Sequence, residues 1–289
     1  AAGAYSTAMG SKTDATGFES VAIGTLDKAT GTQSVAVGAE SEATALNATA
    51  IGSQNTATQQ AATALGTYTH ATGLRSTAVG ANAAASGKSS YAAGDKAVAS
   101  AENATAMGTS TEASGIGATA VGNAAKAKDQ SASAFGDQSE ATGFQSTAIG
   151  FKNKGIINDA TAVGSQNTAS GAQSTAIGFQ TNATNTSAIA IGDQVTASGA
   201  QSAAIGYRAT ASEIRSVALG DRGQASGNGA YAMGYDTRAT EKGAYAIGFS
   251  AQATAETAYA IGGAAKAFAS NSMAIGRKAE TKAQDATST

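Results

Sequence analysis

Side chains that could do chemistry are few in this sequence, and they form no catalytic pattern. Its one histidine is His70, and it has no cysteine, which excludes a thiolate or multi-histidine metal site and a disulfide framework. Close acidic pairs such as Glu40 and Glu42, and the Asp221–Arg222 pair, recur where we expect outward, solvated positions. The sequence therefore predicts that the chain is not an enzyme, with no catalytic residues, no metal and no cofactor.

Two other kinds of binding site are excluded by composition and order. The glycines stand at fixed intervals, without the strand, lysine and helix N-terminus that a phosphate-binding loop requires. The net charge of −2 supplies no basic field for a nucleic-acid backbone, and no apolar run approaches the roughly 18 residues that span a bilayer. We therefore expect no nucleic-acid partner and no membrane-spanning segment in this sequence.

An internal repeat organises the chain of 289 residues, of which 36 are glycine and none is proline. From Gly10 to Gly276 a glycine recurs every fourteen residues, always two residues after an alanine, without insertion or deletion. Charged residues make up only 13% of the chain, a composition that on its own would also fit disorder. The constant phase excludes disorder and predicts about twenty equivalent structural units in one domain.

Each fourteen-residue unit has the length of one coil of a narrow solenoid, with two short strands and two turns. The first strand, for example at residues 146–149, alternates small and larger side chains with the period of two that is typical of a strand with two different faces. The second strand has alanine five residues after the repeat glycine, with Gly155 and Thr281 as exceptions, and polar residues flank it. The pattern predicts an all-β parallel β-roll in which these alanines point inward.

Both corners of the coil are expected to need a backbone conformation that favours glycine. One corner holds the repeat glycine in every coil, and the other holds glycine in some of them, for example Gly17, Gly31 and Gly199. Because glycine adopts a positive φ without steric cost, we expect positive φ at both corners. The absence of proline agrees with strands that are central in a stacked parallel sheet.

The two faces of the first strand predict self-association. The inner face has only alanine and other small residues, so the roll is too thin to hold large side chains, whereas the outer face presents large apolar residues and tyrosines to water. The alternative arrangement, with the large residues inside and alanine outside, is opposed by the size of the tyrosines. We predict that parallel copies in matching register bury the outer face, with a trimer favoured and a dimer left open. The predicted interface residues are Ile23, Val37, Ile51, Leu65, Val79, Met107, Val121, Ile149, Ile177, Ile191, Ile205, Tyr231, Tyr245, Tyr259, Ile261 and Ile275.

The repeat unit at residues 20–31, Ser-Val-Ala-Ile-Gly followed four residues later by Ala-x-Gly, resembles the head repeats of trimeric autotransporter adhesins, the YadA-like heads. The resemblance covers the chain from Ala4 to about Thr281. It implies one head domain at residues 1–281, a C-terminal exit segment at 282–289 and a left-handed parallel β-roll that forms a homotrimer. It also implies a stalk and a C-terminal anchor, both outside this sequence, and membrane association only through that anchor in the outer membrane of a Gram-negative bacterium, with the head extracellular at the cell surface.

The function implied by this resemblance is attachment. The head would bind host extracellular matrix proteins such as collagen, fibronectin or laminin, host cells or other surfaces, through weak contacts repeated along a rigid trimeric rod. Three large apolar residues break the polar outer pattern, and we take them as candidate ligand contacts. These residues are Ile156, Ile157 and Phe268.

Three other functions fit parts of the sequence. A structural spacer would hold a binding module located elsewhere in the fibre. An ice-binding surface would use the outward row of threonine and serine, from Thr16 through Ser114 to Thr254, but the charged residues beside this row oppose that function. An enzyme of the left-handed β-helix class would need six-residue repeats and catalytic histidines, which the fourteen-residue period and the single His70 contradict.

Overall fold

The fold is built from strands and turns alone. The computed structural model describes residues 1–289 and contains no helix, and so none long and apolar enough to cross a membrane. These residues form two compact units, Ala1–Gln145 and Ser146–Thr289. In both units a fourteen-residue coil contributes one longer strand, of three or five residues, and one strand of two residues. The chain is an all-β parallel β-solenoid of about twenty turns, as the repeat predicts.

In the first unit the longer strands pair in parallel, in chain order, and the two-residue strands form a second parallel ladder. The longer strands are β1 (Thr7–Ser11), β3 (Val21–Thr25), β5 (Val35–Ala39), β7 (Thr49–Ser53), β9 (Thr63–Thr67), β11 (Thr77–Ala81), β13 (Tyr91–Ala93), β15 (Thr105–Met107), β17 (Thr119–Val121) and β19 (Ser133–Phe135). The short strands are β2 (Asp14–Ala15), β4 (Lys28–Ala29), β6 (Glu42–Ala43), β8 (Thr56–Ala57), β10 (His70–Ala71), β12 (Ala84–Ala85), β14 (Val98–Ala99), β16 (Glu112–Ala113), β18 (Lys126–Ala127) and β20 (Glu140–Ala141).

The second unit has the same two ladders. Its longer strands are β21 (Thr147–Phe151), β23 (Thr161–Ser165), β25 (Thr175–Phe179), β27 (Ile189–Asp193), β29 (Ala203–Tyr207), β31 (Val217–Asp221), β33 (Tyr231–Met233), β35 (Tyr245–Ile247), β37 (Tyr259–Ile261) and β39 (Met273–Ile275), followed by the two-residue β41 (Thr287–Ser288). Its short strands are β22 (Lys154–Gly155), β24 (Thr168–Ala169), β26 (Asn182–Ala183), β28 (Thr196–Ala197), β30 (Thr210–Ala211), β32 (Gln224–Ala225), β34 (Arg238–Ala239), β36 (Gln252–Ala253), β38 (Lys266–Ala267) and β40 (Glu280–Thr281). Because β41 pairs with β39, the ladder continues into residues 282–289.

Register is uniform because equivalent residues of successive coils pair with each other. In the first unit Ala22 pairs with Ala36, and in the second unit Ala190 pairs with Ala204. A strict fourteen-residue period has this result, since like side chains then stack on like side chains. A slip of one residue would turn every inward alanine to the outside, so the alternating pattern also fixes the register.

The interior of the roll is filled by alanine, as the sequence predicts. Ala22 in β3 and Ala29 in β4 are fully buried, whereas Ile23, the next residue along β3, is 36% exposed. Gly155 and Thr281, the two exceptions at the second alanine position, are buried as well. The alternative arrangement, with the large residues inside the roll, is therefore excluded.

Positive φ occurs at both corners, as expected, but at the second corner a neighbouring residue has it and not the glycine. The repeat glycines have positive φ, for example 134° at Gly206. At the other corner Gly17 does not have a positive φ. A Cβ on Gly17 would overlap the carbonyl oxygen of Gly31 in the next coil. Glycine is therefore needed here because the backbones of successive coils come very close to each other. The positive φ at this corner belongs to Glu19, at 54°. Its backbone N–H donates to the carbonyl oxygen of Ala4 at 2.9 Å, so bonding between coils holds a conformation that costs about 1 kcal/mol.

Buried asparagines link successive coils at the corner before the short strand. The side-chain Nδ2 of Asn167 donates to the carbonyl oxygens of Val163 at 2.9 Å and Gly178 at 2.7 Å. Its Oδ1 accepts a hydrogen bond from the backbone N–H of Thr181 at 2.8 Å, and Asn153 occupies the same corner one coil earlier. Because the asparagine is fully buried, its partners would be left unsatisfied without it.

Candidate interaction surfaces

An apolar stripe lies on the outer face of the longer strands in each unit. We define the apolar stripe as the residue before each repeat glycine, such as Ile23 in β3, together with the residue two positions earlier where that residue is large and apolar or a tyrosine, such as Val21. Ala22 and Ser20, the residues that alternate with them, are fully buried. Because successive side chains of a strand point to opposite faces, the stripe points away from the roll, and a single chain leaves it uncovered.

All the predicted interface residues lie on this stripe, and none of them is buried within the chain. They form a line within each unit because they pair strand by strand, as Ile177 does with Ile191. Their role in assembly stays a prediction. The exposed members are Ile23, Ile51, Leu65, Met107, Ile149, Ile205 and Ile275, and the half-buried members are Val37, Val79, Val121, Ile177, Ile191, Tyr231, Tyr245, Tyr259 and Ile261.

Three tyrosines stack on one another within the stripe of the second unit. The ring centroids of Tyr231 and Tyr245 are 4.8 Å apart with an interplanar angle of 5°, and those of Tyr245 and Tyr259 are 4.9 Å apart at 9°. The loss of solvent around its phenol raises the pKa of Tyr245 above the usual 10.0, and the two neighbouring phenols raise it further. The stack therefore favours the neutral form of the central ring.

The three candidate ligand contacts are exposed but do not form one site. Ile156 and Ile157, just after β22, are 40% and 43% exposed, and Phe268, just after β38, is 38% exposed. Ile156 and Phe268 occupy the same position of the repeat in coils that are 112 residues apart. At the usual strand spacing this separates them by roughly 40 Å. Any contacts they make would be with separate parts of a ligand, and their role stays a prediction.

His70 is exposed and lines a shallow groove of about 470 Å³ in the first unit. The acids of this groove are already hydrogen-bonded. The Nζ of Lys28 donates a hydrogen bond to Glu42 Oε1 at 2.7 Å, and this bond raises the pKa of Lys28. The Nε2 of Gln54 donates a hydrogen bond to Glu40 Oε2 at 2.8 Å. No group of three or more acidic or histidine side chains is placed to hold a metal ion. The acids of the groove therefore act as solvated surface residues.

One surface feature of the second unit was missed at the level of sequence. The residue after the repeat glycine alternates along successive strands between aromatic and acidic types, in the order Phe179, Asp193, Tyr207, Asp221 and Tyr235. The first four of these pair with one another directly. We call this set the acid–aromatic column. The signal that could have revealed it is the return of an aromatic residue every 28 residues, at the same position of every second coil.

Comparison with known protein families matches most of the chain to a single family, described as the YadA head domain repeat (2 copies). The longest internal stretch without a match, residues 140–157, contains the coil of Ile156 and Ile157. A search among curated proteins finds no relative that matches the chain. The residues matched by the family are 1–26, 29–55, 57–83, 85–111, 113–139, 158–181, 169–194, 197–222, 225–251 and 253–279.

A parallel β-solenoid of alanine-filled, fourteen-residue coils with these repeats is an adhesin head, a class of protein without enzymatic activity. The chain belongs to the YadA head family. Repeats of this family form the heads of trimeric autotransporter adhesins, which are exposed on the outer membranes of Gram-negative bacteria. The resemblance drawn from the sequence is thereby confirmed.

Proposed function

We propose that three parallel copies of this chain assemble through the apolar stripe and act as an adhesin head at the surface of a Gram-negative bacterium. The observation that carries the proposal is the position of the large apolar side chains, which lie outside the alanine-filled roll and face solvent in the single chain. Membership of the YadA head family supports both the number of copies and the location at the cell surface.

Burial of the stripe favours assembly. Complete burial of a Val, Leu or Ile side chain contributes about 1.5–3 kcal/mol, and Ile205 still has 38% of its surface exposed. Burial of one stripe residue between copies would therefore add up to about 1 kcal/mol to the free energy of association. The stripe of one unit would add on the order of 10 kcal/mol. Since bringing chains together costs roughly 4–15 kcal/mol, a long stripe is needed for a stable assembly.

The geometry of the stripe favours parallel copies around one axis. Cyclic symmetry places equivalent coils side by side, so that each stripe residue meets its own counterparts. Three flat sheets that face a common axis form a triangular prism and enclose all three stripes. This arrangement leaves the short strands and both corners of each roll available to other partners.

Attachment follows from repetition along such a head. Weak contacts that recur along the roll and on three copies raise the overall affinity without a single strong pocket. The proposed targets are extracellular matrix proteins such as collagen, fibronectin and laminin, host cells, or other surfaces. The proposed ligand contacts are the exposed departures from the repeat pattern, Ile156, Ile157 and Phe268.

Two measurements test the proposal. Sedimentation velocity of the chain should give three times the mass of 27.8 kDa, and a folded monomer would contradict the assembly. Beads coated with the chain should be retained on collagen, fibronectin, laminin or bare polymer. The double variant Ile156→Thr, Ile157→Gly restores the usual repeat and should keep the trimer mass but lower retention.

The spacer function makes a different prediction for the same beads. A spacer would assemble to the same mass and would be retained on none of the surfaces. Retention of the wild-type chain and the double variant to equal extents would keep the adhesin function but remove Ile156 and Ile157 as its contacts.

A further inference from the structure

One ion pair in the second unit shows what kind of group the acid–aromatic column accepts. The Nε of Arg222 lies 3.3 Å from Asp221 Oδ1, and its guanidinium carbon lies 4.5 Å from the ring centroid of Tyr235. Asp221 Oδ1 is shielded from solvent and makes no directed hydrogen bond, so the ion pair compensates its burial. A carboxylate and an aromatic ring therefore hold a guanidinium group together.

The same arrangement recurs two coils earlier with one difference. Asp193 and Tyr207 stand at the equivalent positions of the column, but Gln194 replaces the arginine. The Oδ1 atom of Asp193 is buried and has no hydrogen-bond partner. Glutamine carries no charge, and Arg208, which contacts the Tyr207 ring, makes no ion pair with Asp193, so the carboxylate lacks the guanidinium partner that Asp221 has two coils later.

Exposed aromatic residues lie on both strands next to Asp193. Phe179 pairs with it from one side and Tyr207 from the other, and both rings face solvent in part. The two aromatic residues are two strand spacings apart, roughly 9.5 Å. Because Asp193 stands on the strand between them, a group that binds its carboxylate lies next to an aromatic residue on either side. Arg208 lies beside Tyr207, with its guanidinium carbon 5.7 Å from the ring centroid.

We propose that Asp193, together with Phe179 and Tyr207, is a binding site for an arginine side chain of a partner protein. The guanidinium of that arginine would take the place that Arg222 fills beside Asp221. Arginine fits better than lysine because its guanidinium is planar, stacks on aromatic rings and loses water more readily. The inference rests on the proposed attachment function and names the chemistry of one contact: a basic segment on the surface to which the head attaches.

The test is binding of the full chain to an immobilised peptide of alternating glycine and arginine, measured by surface plasmon resonance. A peptide of the same length with citrulline in place of arginine is the neutral control and should not bind. Asp193→Asn keeps the shape of the side chain but removes its charge, and it should weaken binding to the arginine peptide at least about tenfold.

A matched pair of arginine variants separates the site from general charge effects. Gln194→Arg reproduces the local sequence of Asp221 and Arg222, so the chain itself supplies the guanidinium and binding should fall about as far as in Asp193→Asn. Gln166→Arg adds the same charge at the equivalent position beside Ser165, where the column has no carboxylate. This control should change binding by no more than about twofold.

Several results would overturn the inference. They are no binding by the wild-type chain, equal binding by wild type and Asp193→Asn, and equal effects of the two arginine variants. A lower sedimented mass of Asp193→Asn would also overturn it, because Asp193 would then belong to the contact between copies. Retention of coated beads on matrix proteins is measured separately, so the attachment function can hold even where this site fails.

Discussion

The side-chain Oδ1 of Asn153 accepts a hydrogen bond from the backbone N–H of Asn167, one coil further along the roll, at 3.0 Å. Asn167 repeats the arrangement toward the backbone N–H of Thr181 at 2.8 Å. Both asparagines are fully buried, at a corner where the longer strand has ended and the short strand has not begun. Buried amides therefore continue the inter-coil bonding between the two strand ladders.

We expect Asn167→Ala to lower the free energy of unfolding by about 2–4 kcal/mol. The change removes the donor to two carbonyl oxygens and the acceptor for a backbone N–H, all within the buried corner. Urea denaturation followed by circular dichroism measures the loss. Gln194→Ala, which truncates an exposed amide, is the control and should cost less than about 0.5 kcal/mol. Equal losses would contradict the buried bonds as the cause.

Substitution of a repeat glycine should be far more harmful than substitution of another glycine with positive φ. Gly206→Ala adds a Cβ that overlaps the carbonyl oxygen of Gly220, at a φ of 134° that side chains rarely adopt. Gly229→Ala adds one at a φ of 63° with open space around it. We expect Gly206→Ala to lower the free energy of unfolding by more than about 3 kcal/mol and Gly229→Ala to lower it by about 1 kcal/mol. Thermal melts of the two variants should rank them in this order, and similar melting temperatures would contradict the steric argument.

The repeat predicts the core of this fold well because two periods act together. Alternation with period two assigns Ala22 and Ile23 to opposite faces, and the constant fourteen-residue phase stacks each face into a continuous line.

The conformation at Gly17 was predicted wrongly for a physical reason. Glycine is required either where φ is positive or where another backbone comes very close, and the residue type does not distinguish the two.

The acid–aromatic column was missed because its members look ordinary one at a time. Asp193 and Tyr207 are fourteen residues apart, and each reads as a surface residue next to a glycine. Only the stacking of coils places them side by side. The sequence shows Gln194 where Arg222 stands two coils later, but the contacts of Arg222 with Asp221 and Tyr235 require distances that a sequence does not contain.

The tyrosine stack should make stability depend on pH in the alkaline range. Because the pKa of Tyr245 is raised in the folded chain, the folded state holds this proton more tightly than the unfolded state. The stabilisation of the folded chain by this proton is fully present below the ordinary tyrosine pKa of 10.0, where Tyr245 is protonated in both the folded and the unfolded chain. It is lost as the pH rises above 10.0, because the unfolded chain then loses the proton first.

Melting temperatures measured from neutral to alkaline pH should therefore fall more steeply in wild type than in Tyr245→Phe. Tyr5→Phe is the matched control, because Tyr5 is 85% exposed and lies in the first unit. Its curve should follow that of the wild type. Parallel curves for wild type and Tyr245→Phe would show that the stack does not couple folding to this proton.

Charge placed on the apolar stripe should dissociate the assembly and leave the roll folded. Ile191 and Ile205 pair on β27 and β29 and point away from the alanine core. In an assembled head, the double variant Ile191→Asp, Ile205→Asp would place carboxylates from every copy in an apolar interior, so association should weaken by roughly a hundredfold or more. The sedimented mass of the double variant should fall to that of one chain, and its circular dichroism spectrum should be unchanged. The control variant Ile214→Asp changes an exposed residue outside the stripe and should keep the assembled mass. An unchanged mass of the double variant would show that the stripe is not the contact between copies, and a lost spectrum would show that these side chains support the roll itself.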